Sequence, residues 1–119
     1  LRNSSMLTPV QDVLKTVRPN QRCISAEQAK QEIQDNEGVL VDVREPQEHA
    51  QNAATGAINV PRGLLEFKLP EIVKDAAKPI YVHCAAGGRA VFAAEQLTRI
   101  GYQNVTVITC KADDICNTF

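Results

Sequence analysis

The stretch KPIYVHCAAGGRAVFAAEQLTRIG at positions 78–101 decides how the rest of the chain is read. Ile80, Tyr81 and Val82 are β-branched or aromatic and follow Pro79, the signature of a short buried strand. Cys84 comes next, and Ala85, Ala86, Gly87 and Gly88 form a loop with almost no side chains, its glycines free to take φ > 0. From Arg89 the pattern becomes helical. Ala90, Ala93, Ala94, Leu97 and Ile100 share one face, and Gly101 stands where a C-terminal stop belongs. A cysteine is thereby placed where a parallel strand ends and a helix begins, the edge at which open α/β sheets bind ligands.

That placement has chemical consequences. A helix N-terminus carries unpaired N–H groups and partial positive charge, so it stabilises a thiolate. A loop of small residues can turn its N–H groups inward as a cradle. Arg89 adds a planar, permanent charge, in a first helical turn that disfavours cations unless an anion lies beside it. The expectation is a nucleophilic sulfur in an anion-binding cup.

His83-Cys84-Ala85-Ala86-Gly87-Gly88-Arg89 resembles the active-site loop of rhodanese sulfurtransferases, a Cys followed by four residues and an Arg. The run Val39-Leu40-Val41-Asp42-Val43-Arg44-Glu45-Pro46-Gln47-Glu48 resembles the family's aspartate-valine-arginine strand end with its following glutamate. Gly56-Ala57-Ile58-Asn59-Val60-Pro61 resembles a further signature, and all three occur in the family's order over positions 22–108. The resemblance implies an α/β fold, a rhodanese-like doubly wound parallel sheet of about five strands with helices on both faces. It implies Cys84 and Arg89 as catalytic residues and Ala85, Ala86, Gly87 and Gly88 as the loop that binds substrate and persulfide. Asp42, Arg44 and Glu48 are expected as supporting residues, with Arg44 and Glu48 as a buried ion pair fixing the loop and Asp42 near the cup. The implied activity moves sulfane sulfur from thiosulfate or a related donor to cyanide or a thiol through a Cys84 persulfide. Neither cofactor nor metal is called for. A carrier or non-catalytic module serving a protein partner is the alternative. Cys-dependent phosphatase or arsenate reductase chemistry is disfavoured, because a phosphatase loop has five residues before its Arg and Ala90 occupies that place here.

Bulk properties agree. With 119 residues, 44% hydrophobic and 23% charged, the chain suits one domain with a sizeable core. Positions 1–21 are read as an N-terminal helical extension and 22–119 as the domain. Met6 is a candidate natural start, which would make Leu1 to Ser5 a tag remnant. A net charge of −1 offers no electrostatic case for nucleic acid or an acidic membrane. A monomer or weak homodimer in the cytoplasm is expected, or in the periplasm if a leader has been removed.

Along the chain, Thr8-Pro9-Val10-Gln11 predicts a helix with Thr8 as N-cap, its stripe Val10, Val13, Leu14 and Val17 packing on the domain. Ser25-Ala26-Glu27-Gln28 predicts a capping box for a helix reaching Asn36 and stopped by Gly38. Positions 39–43 read as a strand buried on both faces, 63–68 and 70–74 as two short helices, and 105–108 as the last strand. His83 should point away from Cys84 in a structural role, and His49 should be a solvated surface residue. The chain has four cysteines, and the spacing of Cys110 and Cys116 is too long for zinc. Cys23, Cys110 and Cys116 are read as reduced thiols, with Cys110 as a candidate resolving partner for Cys84. Around Asn52-Ala53-Ala54-Thr55 and Thr109-Cys110-Lys111 the chain departs from the family pattern, and it contains no Trp.

Overall fold

A computed structural model describes residues 6–119. The candidate start at Met6 and tag remnant 1–5 therefore fall, but for Met6 itself, outside the described residues. Five strands, β1 (Arg22–Ile24), β2 (Val39–Asp42), β3 (Ile58–Asn59), β4 (Ile80–His83) and β5 (Val105–Ile108), form one parallel sheet in the order β1-β5-β4-β2-β3. The helices are α1 (Val10–Val17), α2 (Ala26–Asn36), α3 (Pro46–Gln51), α4 (Leu65–Ile72), α5 (Gly88–Arg99) and α6 (Ala112–Thr118).

Alternation along the strands divides the core into two layers. Val41, Ile80, Val82 and Val107 face α1, α4 and α5, where Leu14, Val17, Leu65, Leu69, Ala90, Ala94 and Leu97 close the layer. Leu40, Tyr81, Ile24 and Ile108 face the opposite way, onto Ala26 and Ala29 of α2 and Ile115 of α6. The sheet is thus covered on both faces, as near-continuous apolar runs such as Val39-Leu40-Val41 require. Among the described residues no helix is long and apolar enough to cross a membrane.

Several local details differ from expectation. Pro9, not Thr8, is the N-cap of α1, and no side chain caps that end. Ser25 Oγ does accept the Gln28 N–H at 3.2 Å, but the Gln28 side chain turns to Glu32 rather than closing the capping box. The left-handed residue that stops α2 is Glu37, with φ 58°, not Gly38. Gly38 is needed for another reason: a Cβ there would lie 2.7 Å from the Tyr81 ring. The two helices expected over 63–74 are a short 3₁₀ turn, Arg62–Leu64, followed by the single helix α4 running through Pro70. Fully buried Leu65 and Leu69 anchor that helix, and this packing offsets the hydrogen bond Pro70 cannot make. Ile100 falls beyond the end of α5 and is largely exposed, while Gly101 at φ 115° turns the chain so that Tyr102 N–H reaches Leu97 O at 3.1 Å.

Candidate active site

Strands β2 and β4 are neighbours, with Asp42 in register with His83, so their C-terminal ends deliver two sets of polar residues to one sheet edge. Cys84 leaves β4 there and is only 2% exposed. Its Sγ accepts the N–H groups of Gly87 at 3.1 Å and Ala90 at 3.3 Å. Ala90 is the third residue of α5, and Gly87 is its N-cap without a side chain to offer. The cysteine sulfur therefore takes the acceptor role that a Ser or Asp side chain fills at an ordinary N-cap. Gly87 reaches this turn with φ 103°, which a side chain would strain. At Gly88 a Cβ would meet Leu14 of α1 at 3.7 Å, an ordinary contact, so only Gly87 of the pair is demanded by the backbone. The N–H groups of Ala86, Gly88 and Arg89 have no protein acceptor among the described residues.

Leu14 brings the N-terminal helix into direct relation with this loop: it is 6% exposed and lies in the same apolar layer as Cys84. From the other side the Ala85 carbonyl accepts the Ala112 N–H of α6 at 2.9 Å. The loop is thus clamped between the first and last helices. Ala86 on this loop is exposed, whereas Cys84 is buried.

The charged residues pair differently from the expected Arg44–Glu48 ion pair. Arg44 instead grips Asp42, through Nε to both carboxylate oxygens at 3.0 and 3.1 Å and through Nη2 at 2.8 Å. Glu48 reaches across to Arg89, with its two oxygens 2.8 and 3.0 Å from the guanidinium nitrogens. The reason is geometric. Glu48 sits on the first turn of α3, where its carboxylate also accepts the Glu45 N–H at 3.0 Å, and that turn faces the start of α5. The Arg89 guanidinium holds the Glu48 carboxyl down at about 2.

Asp42 is fully buried and accepts the Arg44 N–H at 3.0 Å and His49 Nδ1 at 2.9 Å besides the guanidinium. Burial alone would raise its carboxyl; the hydrogen bonds from Arg44 and His49 more than offset that and hold it below the ordinary carboxylate range. Asp42 thus organises the segment leading to Glu48 and makes no hydrogen bond to the cysteine loop. His49, expected to be solvated, is half-buried by this pairing, because one turn of α3 carries it back over the strand end. His83 points into the layer opposite Cys84 as alternation predicts. It is fully buried, its Nδ1 lies 3.3 Å from the Cys84 carbonyl, its Nε2 has no hydrogen-bond partner among the described residues and lies 3.9 Å from Asp42 Oδ1, and burial lowers its pKa.

Two contributors escaped the sequence reading, the Ala90 N–H and His49. The first is signalled by counting three residues on from a side-chain-free N-cap. The second has no local signal. Cys110 Sγ accepts the Ala26 N–H at 3.4 Å and packs in the layer of α2 and α6, on the other face of the sheet from the Cys84 layer. All four cysteines are free thiols. No group of three or more His, Cys, Asp or Glu among the described residues is placed to hold a metal ion.

Comparison with known proteins gives this geometry a family. The rhodanese-like domain matches residues 25–110. A sulfurtransferase of Allochromatium vinosum is 35% identical over 83 residues, covering 69% of this chain and 76% of its own length. A Schizosaccharomyces pombe protein provisionally named a mitochondrial thiosulfate sulfurtransferase is 36% identical over 88 residues, covering 65% of this chain and 62% of its own length. The crystal structure of reduced CoADR-RHD from Bacillus anthracis superposes with a TM-score of 0.68 at 33% identity, over 82% of this chain but 17% of that one. This chain therefore spans less than two thirds of the S. pombe protein and a small part of the B. anthracis chain. Because the match takes in both the strand end at Asp42 and the loop at Cys84, the chain belongs to the rhodanese-like domain family and is similar to its sulfurtransferases.

Proposed function

We propose that the protein is a rhodanese-type sulfurtransferase that carries sulfur as a persulfide on Cys84. One observation carries the reading. The Cys84 sulfur caps α5 with two N–H donors, and the further N–H groups of Ala86, Gly88 and Arg89 have no protein acceptor among the described residues. Such a ring suits a sulfur that is anionic before transfer and extended by one anionic atom after it.

In the first half-reaction the Cys84 thiolate attacks the outer sulfur of thiosulfate or a related donor. The donor S–S bond breaks, sulfite leaves with its electron pair, and a Cys84–S–S⁻ persulfide remains. In the second, cyanide or a thiolate attacks the outer sulfur and Cys84 leaves as thiolate. The roles are then Cys84 as nucleophile, the N–H groups of the 86–90 turn and the helix dipole stabilising the anionic donor and leaving group, and Arg89 as the guanidinium beside the cup, paired with Glu48. Asp42 and Arg44 hold the strand end, and Glu48 holds Arg89. Small-molecule donors and acceptors, or a protein thiol, fit this scheme, and four free thiols suit a reducing compartment such as the cytoplasm.

The test is intact mass after thiosulfate and again after cyanide. Wild type should gain one sulfur mass and lose it to cyanide, while Cys84→Ser should gain nothing. Turnover of p-nitrophenyl phosphate with no sulfur adduct would refute the reading.

A further inference from the structure

We infer that Glu48 sets the donor preference of Cys84, by cancelling the charge of Arg89 towards dianionic donors and so favouring hydropersulfides, R–S–SH, over thiosulfate. This deepens the sulfurtransferase reading above and rests on it. The cations near this edge of the sheet are Arg44, Arg62, Arg89 and the exposed Lys111, which precedes Ala112, the donor to the Ala85 carbonyl. Arg44 is committed to buried Asp42, with Nη2 2.8 Å from its Oδ2. Arg62 is committed to Glu66, 2.6 Å away. Arg89 is the guanidinium on the first turn of α5, next to the cup, and both of its terminal nitrogens are taken by the two oxygens of Glu48. Glu48 is itself held from behind by the Glu45 N–H. The carboxylate is therefore fixed on two sides, and Arg89 cannot turn to another anion without breaking two charge-assisted hydrogen bonds.

What faces the sulfur is then a set of backbone N–H dipoles beside an ion pair of zero net charge. Thiosulfate brings two negative charges, and placing it against Arg89 sets it beside Glu48 as well. A small hydropersulfide such as that of cysteine, whose ammonium and carboxylate cancel, carries at most one net charge, on its terminal sulfur. The N–H groups of the turn suffice for it: Cys84–S⁻ attacks the terminal sulfur of R–S–SH, the R–S–S bond breaks, R–S⁻ leaves with the electron pair, and Cys84–S–SH forms. Atoms and charge balance without an oxidant or reductant.

The test compares kcat/KM for thiosulfate with kcat/KM for freshly prepared cysteine hydropersulfide, in wild type and Glu48→Gln. Glutamine retains an oxygen for the Glu45 N–H, as capping boxes tolerate, but removes the charge. The thiosulfate-to-persulfide ratio should rise about tenfold in the variant, the size expected when one partly solvated unit charge no longer repels a dianion. An unchanged or lower ratio overturns the inference. If Glu48→Gln does not fold, Lys111→Gln, which removes the exposed cation next to Ala112, decides alone: its thiosulfate kcat/KM should change little between low and physiological salt, since Glu48 cancels the Arg89 charge, and a steep fall with salt overturns the inference. Failure of both donors to add sulfur to wild-type Cys84 by mass would remove the sulfurtransferase reading itself, a result separate from an unchanged ratio.

Discussion

Asp42→Asn is the substitution that most directly tests how the site is held. In wild type, each Asp42 oxygen faces donors: Oδ1 takes Arg44 N and Nε at 3.0 Å, and Oδ2 takes Arg44 Nη2 at 2.8 Å and His49 Nδ1 at 2.9 Å. Asparagine has one oxygen and one NH₂ group, so whichever way it turns, a donor confronts donors. It also leaves the Arg44 guanidinium, 5% exposed, without its counter-charge. Removing one partner of a buried ion pair costs about 3–5 kcal/mol. For 119 residues that converts to a fall in Tm of about 12–20 °C. The pH dependence follows with a definite sign. The Asp42 carboxyl is lowered in the folded state, so its contribution is complete above the unfolded value of about 3.9 and is lost as pH falls through the folded value. Below the histidine range, the gap between wild type and Asp42→Asn should therefore close progressively as pH falls below about 4. Urea titrations at pH 7, 5 and 3.5 measure it, and Asp42→Asn with Arg44→Met should recover part of the loss because no buried charge is then unpaired. A neutral-pH loss below about 1 kcal/mol, or a gap no smaller at pH 3.5 than at pH 5, would refute the reasoning.

Two further outcomes follow from the same geometry. Leu14→Ala should cost about 2–5 kcal/mol, since Leu14 is 6% exposed, and it should slow persulfide formation by loosening the wall against Gly88; chemical denaturation and single-turnover mass spectrometry read the two effects, and an unchanged rate would detach α1 from the loop. His83→Leu should cost about 1 kcal/mol at pH 7.5, because it removes the hydrogen bond of His83 Nδ1 to the Cys84 carbonyl at 3.3 Å, and should flatten the fall in Tm on acidification: burial lowers the folded His83 value, so wild type loses stability as pH falls through the unfolded value of about 6.5.

Most of the fold is legible from short-range pattern. Each apolar run 3–4 residues long between turn signals is a strand, and the small-residue face of α5 announces both the helix and its close packing on the sheet. The Cys84 cup is legible for the same reason, because a sulfur, a side-chain-free loop and a helix N-terminus lie within seven consecutive residues, His83 to Arg89. Where local reading slipped, a local rule met a tertiary contact. Gly38 looks like a helix stop, yet it is the Tyr81 ring from β4 that excludes a side chain there. Pro70 looks like a helix boundary, yet buried Leu65 and Leu69 carry α4 through it.

The ion pairs are another matter. Arg44 and Glu48 stand at helical i,i+4 spacing and carry opposite charges, so sequence alone makes them natural partners. The strand end instead leaves Arg44 extended beside Asp42, and α3 turns Glu48 towards a guanidinium 41 positions away. By itself the sequence determined that the sulfur sits in a side-chain-free loop at a helix N-terminus, because backbone hydrogen bonding and helix polarity act over a few residues. Tertiary structure alone decided whose charge faces that sulfur, because a long side chain pairs with whatever the packed sheet edge brings within about 3 Å, and that is settled only when β2 and β4 lie side by side.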